Sequence, residues 1–174
     1  MPKNGTQKSH LDDTINYKQT IIDSISKSQE VLALISNDPN IDISSDKALD
    51  IIENNIFDYP YIDDTTQIAT AFIMIESDIV EVVGAMKTIE LYVQVVVDKL
   101  FMDLKGCSFI GLKGNRLENI TRFVDLLINN SPEFGIGKIS LASDITAPVP
   151  SRYASKILTY STSNFVRNGK LGNV

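Results

Sequence analysis

The chain predicts an α+β fold, one antiparallel four-stranded sheet with helices packed on one face, in the order α-α-β-β-α-β-β. Two stretches carry that prediction. Lys87 to Asp98 alternates with period two: Ile89, Leu91, Val93, Val95 and Val97 point one way, and Thr88, Glu90, Tyr92, Gln94 and Asp98 the other. Val96 is the single aliphatic on the second side, and the β-branched content marks a strand with one buried and one wetter face. Arg116 to Asn129 places Leu117, Ile120, Phe123, Val124, Leu127 and Ile128 at helical spacing, which supplies a cover for the buried face.

The remaining elements follow in order. Residues 1–14 are polar and read as an N-terminal arm, 15–166 as a single domain, and 167–174 as a flexible tail. A first helix is expected from Asn16 to Ser36, with Ile21, Ile22, Ile25, Leu32 and Ile35 as its stripe, ended by Asn37-Asp38-Pro39-Asn40. A short second helix, Asp46 to Asn54, has Ser45 as its cap and Leu49 and Ile52 as anchors. Ile56 to Asp64 holds three aromatics, a proline and three acids, and reads either as a plug of Ile56, Phe57 and Tyr61 at the core edge or as a partner-binding loop. Gln67 to Glu76 is apolar on both sides and reads as the more buried strand. Ser77 to Met86 joins it to the organising strand as a loose hairpin, with Gly84 available for a positive φ. Strand three is expected over Ile136 to Ser143 and strand four over Tyr153 to Val166, separated by Pro148-Val149-Pro150.

At 174 residues and net charge −6, the chain is large enough for a real core and is not a general nucleic-acid binder. It lacks an apolar signal core and an apolar run of transmembrane length, which predicts a soluble intracellular protein. Cys107 stands alone, so no internal disulfide forms. With one histidine, His10 in the polar arm, a zinc site or a histidine acid–base centre has little to work with. No catalytic, cofactor-binding or metal residues are assigned.

Gly106 to Gly114 superficially resembles a phosphate loop, but Leu112 displaces the lysine and Gly114 stands where the magnesium-binding hydroxyl belongs. Asn115 and Glu118 instead have the spacing of a capping box. Asp12-Asp13 and Asp63-Asp64 are carboxylate pairs without a third ligand at metal spacing. Lys99, Lys105, Lys113 and Arg116 form a loose basic cluster, read as a solvated rim or a face for DNA or an acidic partner.

Three stretches together resemble a known group: Ile56 to Gln67 running into Ala71 to Glu76, Lys87 to Val95, and Gly114 to Ile128 followed by Gly135 to Leu141. Their order is similar to that of small structural proteins of tailed bacteriophages, of the neck and tail-terminator type. The resemblance spans roughly residues 50–166 and implies a subunit that closes into a ring, commonly a hexamer, at the head-proximal end of the tail in the virion. It implies no enzyme activity, and it implies neighbouring neck and tail-tube proteins as partners, with DNA at most passing through the lumen. The strand end Val97 to Met102 and the arm at 1–14 depart from the pattern. A stopper or tail-completion protein belongs to the same class. Two other classes compete: a small phage metal-dependent DNA-processing enzyme using Asp63 or Asp64, and an unrelated oligomeric binding module. For a ring joint the candidates are Ile79, Val80, Val82 and Val83 at the hairpin tip, and Tyr153 and Tyr160 on strand four, which is expected at the sheet edge. The alternative for the tip is that it folds back on its own domain.

Overall fold

In a computed structural model, residues 9, 11–61, 70–104, 109 and 111–166 are described. They form helices α1 (Asp12–Ser26), α2 (Gln29–Ser36), α3 (Asp46–Asn55) and α4 (Arg116–Ile128), and strands β1 (Ile56–Phe57), β2 (Ala71–Val83), β3 (Met86–Asp98), β4 (Ser140–Thr146) and β5 (Tyr153–Phe165). The α+β class with helices on one sheet face holds. The sheet, however, has five strands and is mixed, in the order β1-β2-β3-β5-β4. The added strand is β1, whose Ile56 and Phe57 pair parallel with Ile73 and Met74. Two residues are too few to show a period, so the sequence hides it.

The organising strand lies where expected. β3 pairs antiparallel with β2 on one side and with β5 on the other. Ile89, Leu91, Val93, Val95 and Val97 are fully buried, in one core with Ile21, Ile25, Leu34, Ile120 and Val124 from the helices. The opposite face carries no helix among the described residues. It has a small core of its own at one end, where Phe72, Met74, Val96 and Tyr153 are buried and Phe57 and Val149 pack against them.

The single first helix is corrected to two. Ser28 takes an extended conformation, φ −88° and ψ 109°, and its hydroxyl caps the amide of Val31 at 3.3 Å, so it opens α2 rather than continuing α1. α1 starts at Asp12, inside the expected arm, and Asp13 and Thr14 are buried. α2 ends on Asn37 at φ 58°, followed by Pro39. In α3 the cap is Ser45 as expected, but Ala48 and Ile51 face the core while Leu49 is exposed. α4 carries the full capping box between Asn115 and Glu118. Its sheet-facing side is Leu117, Ile120, Val124 and Ile128; Phe123 turns away, half-buried, to line a cleft of about 280 Å³ beside α2. Strand three is displaced to Ser140 because Gly135 and Gly137, at φ 64° and 88°, hold the preceding residues in a turn.

Candidate assembly surface

The hairpin between β2 and β3 is tight, not loose. The strands pair up to Val83 and Met86, and only Gly84 and Ala85 lie between them. Gly84 has φ 58°, the conformation that a two-residue turn requires. A bulge between Ile79 and Glu81 inserts Val80, so the facing pattern of β2 reverses there. Ile79 packs half-buried against the main core, whereas Val80, Val82 and Val83 are 47%, 60% and 64% exposed.

The register then adds residues that the sequence reading missed. Val83 is opposite Met86, and Met86 is opposite Phe165, so the three side chains form a cross-strand row. Met86 and Phe165 are both exposed. Nothing local in the sequence signals this row, because it depends on the pairing of β5 with β3, strands far apart in the chain.

Tyr153 and Tyr160 do not join the surface. β5 lies between β3 and β4, so the expected edge strand is interior, and the two rings are 3% and 0% exposed. Their low exposure follows from that position: Tyr153 sits in the smaller core, and Tyr160 faces α4, where its hydroxyl is 3.2 Å from Asp125 Oδ1. Burial and the neighbouring Asp125 carboxylate push the Tyr160 phenol well above its ordinary range.

Beneath the tip, polar groups tie the helices to the sheet. Lys87 Nζ is 2.8 Å from Asp13 Oδ2. The Asn164 amide donates to Asp13 Oδ2 at 3.1 Å and to the Tyr17 hydroxyl at 2.8 Å. On the open face the pairing brings Asp78 opposite Glu90, with Glu76 and Glu81 on either side along β2. The Tyr92 hydroxyl donates to Glu90 Oε2 at 2.5 Å. That hydrogen bond, burial and the adjoining carboxylates push the Tyr92 phenol up to about 12.

Other candidates separate. Asp12 and Asp13 diverge: Asp12 accepts from the Ser9 amide at 2.9 Å, and Asp13 turns inward to Lys87. The basic cluster does not form one rim. Arg116 is buried, donating to the carbonyls of Phe101 and Leu34 and to Asn37 Oδ1, while Lys99 and Lys113 are exposed. Of the 56–64 loop, Ile56 is buried in the main core and Phe57 packs against the small one; Tyr59 and Tyr61 meet the Phe57 ring tilted and edge-on, with centroids at 5.7 and 5.0 Å, but stay exposed. His10, Asp63, Asp64, Lys105 and Cys107 lie outside the described residues, as do 1–8 and 167–174. Among the described residues no cluster of His, Cys, Asp or Glu could hold a metal ion, and no helix is long and apolar enough to cross a membrane.

Compared with protein families, residues 28–162 match the family model described as YomW. The match opens at the cap of α2 and closes within β5, so it takes in β1 to β4, most of β5 and the helices α2, α3 and α4. Among curated proteins, nothing matches the chain.

Proposed function

Because the chain belongs to the YomW family, and is thereby a phage-related protein, we propose that it is a structural, non-catalytic subunit of the phage head–tail junction. In this reading identical copies close into a ring, a hexamer, in the position of a tail terminator, between neck proteins and the tail tube in the virion. DNA passes through the lumen without being read, in keeping with the net charge of −6.

The observation that carries the reading is the hairpin end. Val83, Met86 and Phe165 form an exposed apolar row on the open face of the hairpin end, Val82 is exposed on the other face, in register with Lys87, and Val80 is exposed at the bulge. Contiguous apolar patches of this kind mark contact sites. A closed ring needs two different patches that meet head to tail, and a projecting hairpin supplies one of them.

Native mass spectrometry and negative-stain microscopy of the purified chain test this. Closed rings are expected for the wild type. Val80→Asp with Val82→Asp should leave a folded subunit that forms none. Rings that persist in the double variant would remove the hairpin from the joint, and a wild type that never forms rings would overturn the assignment.

A further inference from the structure

The two edges of the sheet differ in what covers them. Along β2, β1 pairs at Ile73 and Met74 and the Asn55 amide donates to the Ala71 carbonyl at 2.9 Å; farther out no strand among the described residues lies beside it, and there it carries Glu76, Asp78 and Glu81, charges that oppose pairing with another chain. β4 forms the other edge, and apart from the half-buried Ser143 its residues are exposed. The hydrogen bond from Ala147 N to Ser155 O sets the phase of the β4–β5 ladder. Ser143 and Ile145 therefore bond inward to β5, and the N–H and C=O of Asp144 and Thr146 point outward. The outward amide of Leu141 is already capped by Asn129 Oδ1 at 3.2 Å, and Pro148 ends the edge on the other side. What stays open is the segment Asp144 to Thr146.

We infer that this edge pairs with the β4 edge of a second copy, antiparallel, about a two-fold axis at Ile145. The register follows from the residues. Centred on Ile145, Asp144 of one copy faces Thr146 of its mate, the two exchange both backbone hydrogen bonds, and the Asp144 carboxylate, held at 2.7 Å by Lys156 of its own chain, faces a hydroxyl and not a like charge. Ile145 then meets its symmetry mate at the position without hydrogen bonds, where Cα atoms are about 4.5 Å apart and side chains approach most closely. Within the chain Ile145 is in register with Ile157 on the same face, so the joint extends one apolar row across the axis. Centred on Asp144, two carboxylates would face each other. Centred on Thr146, Asp144 would oppose Pro148, which has no N–H to give.

This contact uses the same patch on both copies and is separate from the hairpin joint, so it does not rest on the ring reading. Without rings it makes a dimer; with rings it joins them in pairs.

Sedimentation velocity on the full chain tests it. Thr146→Pro removes an outward N–H while sparing the ladder to β5. Ile145→Asp sets two carboxylates against each other at the axis, at a residue 52% exposed in the chain, so it leaves the fold intact. Each variant is expected to halve the particle mass of the wild type with an unchanged circular dichroism spectrum. In a Cys107→Ser background, Ile145→Cys should form a covalent dimer on mild oxidation, whereas Leu141→Cys should not. A wild type that sediments as one chain overturns the proposal. So does a folded Ile145→Asp variant at wild-type mass, or cross-linking at position 141 in place of 145.

Discussion

The carboxylate of Asp13 and the ammonium of Lys87 lie 2.8 Å apart, 6% and 1% exposed, where α1 begins and β3 leaves the hairpin turn. Through Asn164, which donates to the same carboxylate, the pair also engages β5. Lys87→Met strands a buried carboxylate and should cost about 3–5 kcal/mol, the usual penalty for breaking a buried pair from one side. Lys87→Met with Asp13→Leu should regain most of that loss, because two apolar groups replace two buried charges. Urea unfolding of the single and double variants measures both, and equal losses in the two would show that the charge pair is not the source of the effect.

Arg116, one of the loose basic cluster in the sequence, is a buried fork in the structure. It donates to Phe101 O at 2.7 Å, to Leu34 O and to Asn37 Oδ1 at 2.7 Å, and it lies 3.8 Å from the centre of the Phe101 ring. It therefore binds the start of α4 to the end of α2 and the turn after β3. Lysine cannot reproduce the planar fork. Arg116→Lys should lose about 2–3 kcal/mol of unfolding free energy, since buried acceptors are left unmatched. A loss within the range of a surface substitution, about 0.5 kcal/mol, would mean that the acceptors find other donors.

Two glycines with similar φ should respond differently to alanine. At Gly135, φ 64°, an added Cβ would meet Ser163 O at 2.3 Å and Thr162 Oγ1 at 2.7 Å. At Gly84, φ 58°, it would meet nothing within 4 Å. Gly84→Ala should cost about 1–2 kcal/mol, the conformational term alone. Gly135→Ala should cost more than that, since backbone must also shift, and thermal unfolding of the two variants gives the order.

Tyr92 offers a titration test. Its phenol is raised from the ordinary value of 10.0 to about 12, chiefly by its hydrogen bond to Glu90. Because the folded-state value is the higher one, this interaction supports the fold below about pH 10 and is lost as pH rises toward 12. Ultraviolet difference titration should show Tyr92 ionising late but ahead of the buried Tyr160, and Glu90→Gln should bring the Tyr92 phase alone back toward 10.0. An unchanged late phase in Glu90→Gln would point to burial as the cause.

The parts legible in the sequence were those set by local period and local caps. The alternation over Lys87–Asp98 gave β3 its buried face, and the Asn115–Glu118 spacing gave α4 its start. What was not legible depended on partners distant in the chain. The place of β5 at the centre of the sheet, and with it the burial of Tyr153 and Tyr160, is settled by pairing with β3 and β4 together. The row Val83–Met86–Phe165 arises from the same pairing. Phe123 fits the apolar stripe of α4, yet α2 lies on that side of the helix, so a correct period gave the wrong neighbour.

The open face of the sheet has a consequence for behaviour in concentrated solution. A bare pleated face invites another to stack on it, at a spacing of about 10 Å. Here such stacking would press Glu76, Asp78, Glu81 and Glu90 of one copy toward the same residues of the next. Screening at physiological salt reaches about 8 Å, so the repulsion is still felt at contact distance. The like-charged pair Asp78 and Glu90 weakens its own ladder slightly. In return it acts as an electrostatic spacer against face-to-face stacking, one that high salt or acid switches off.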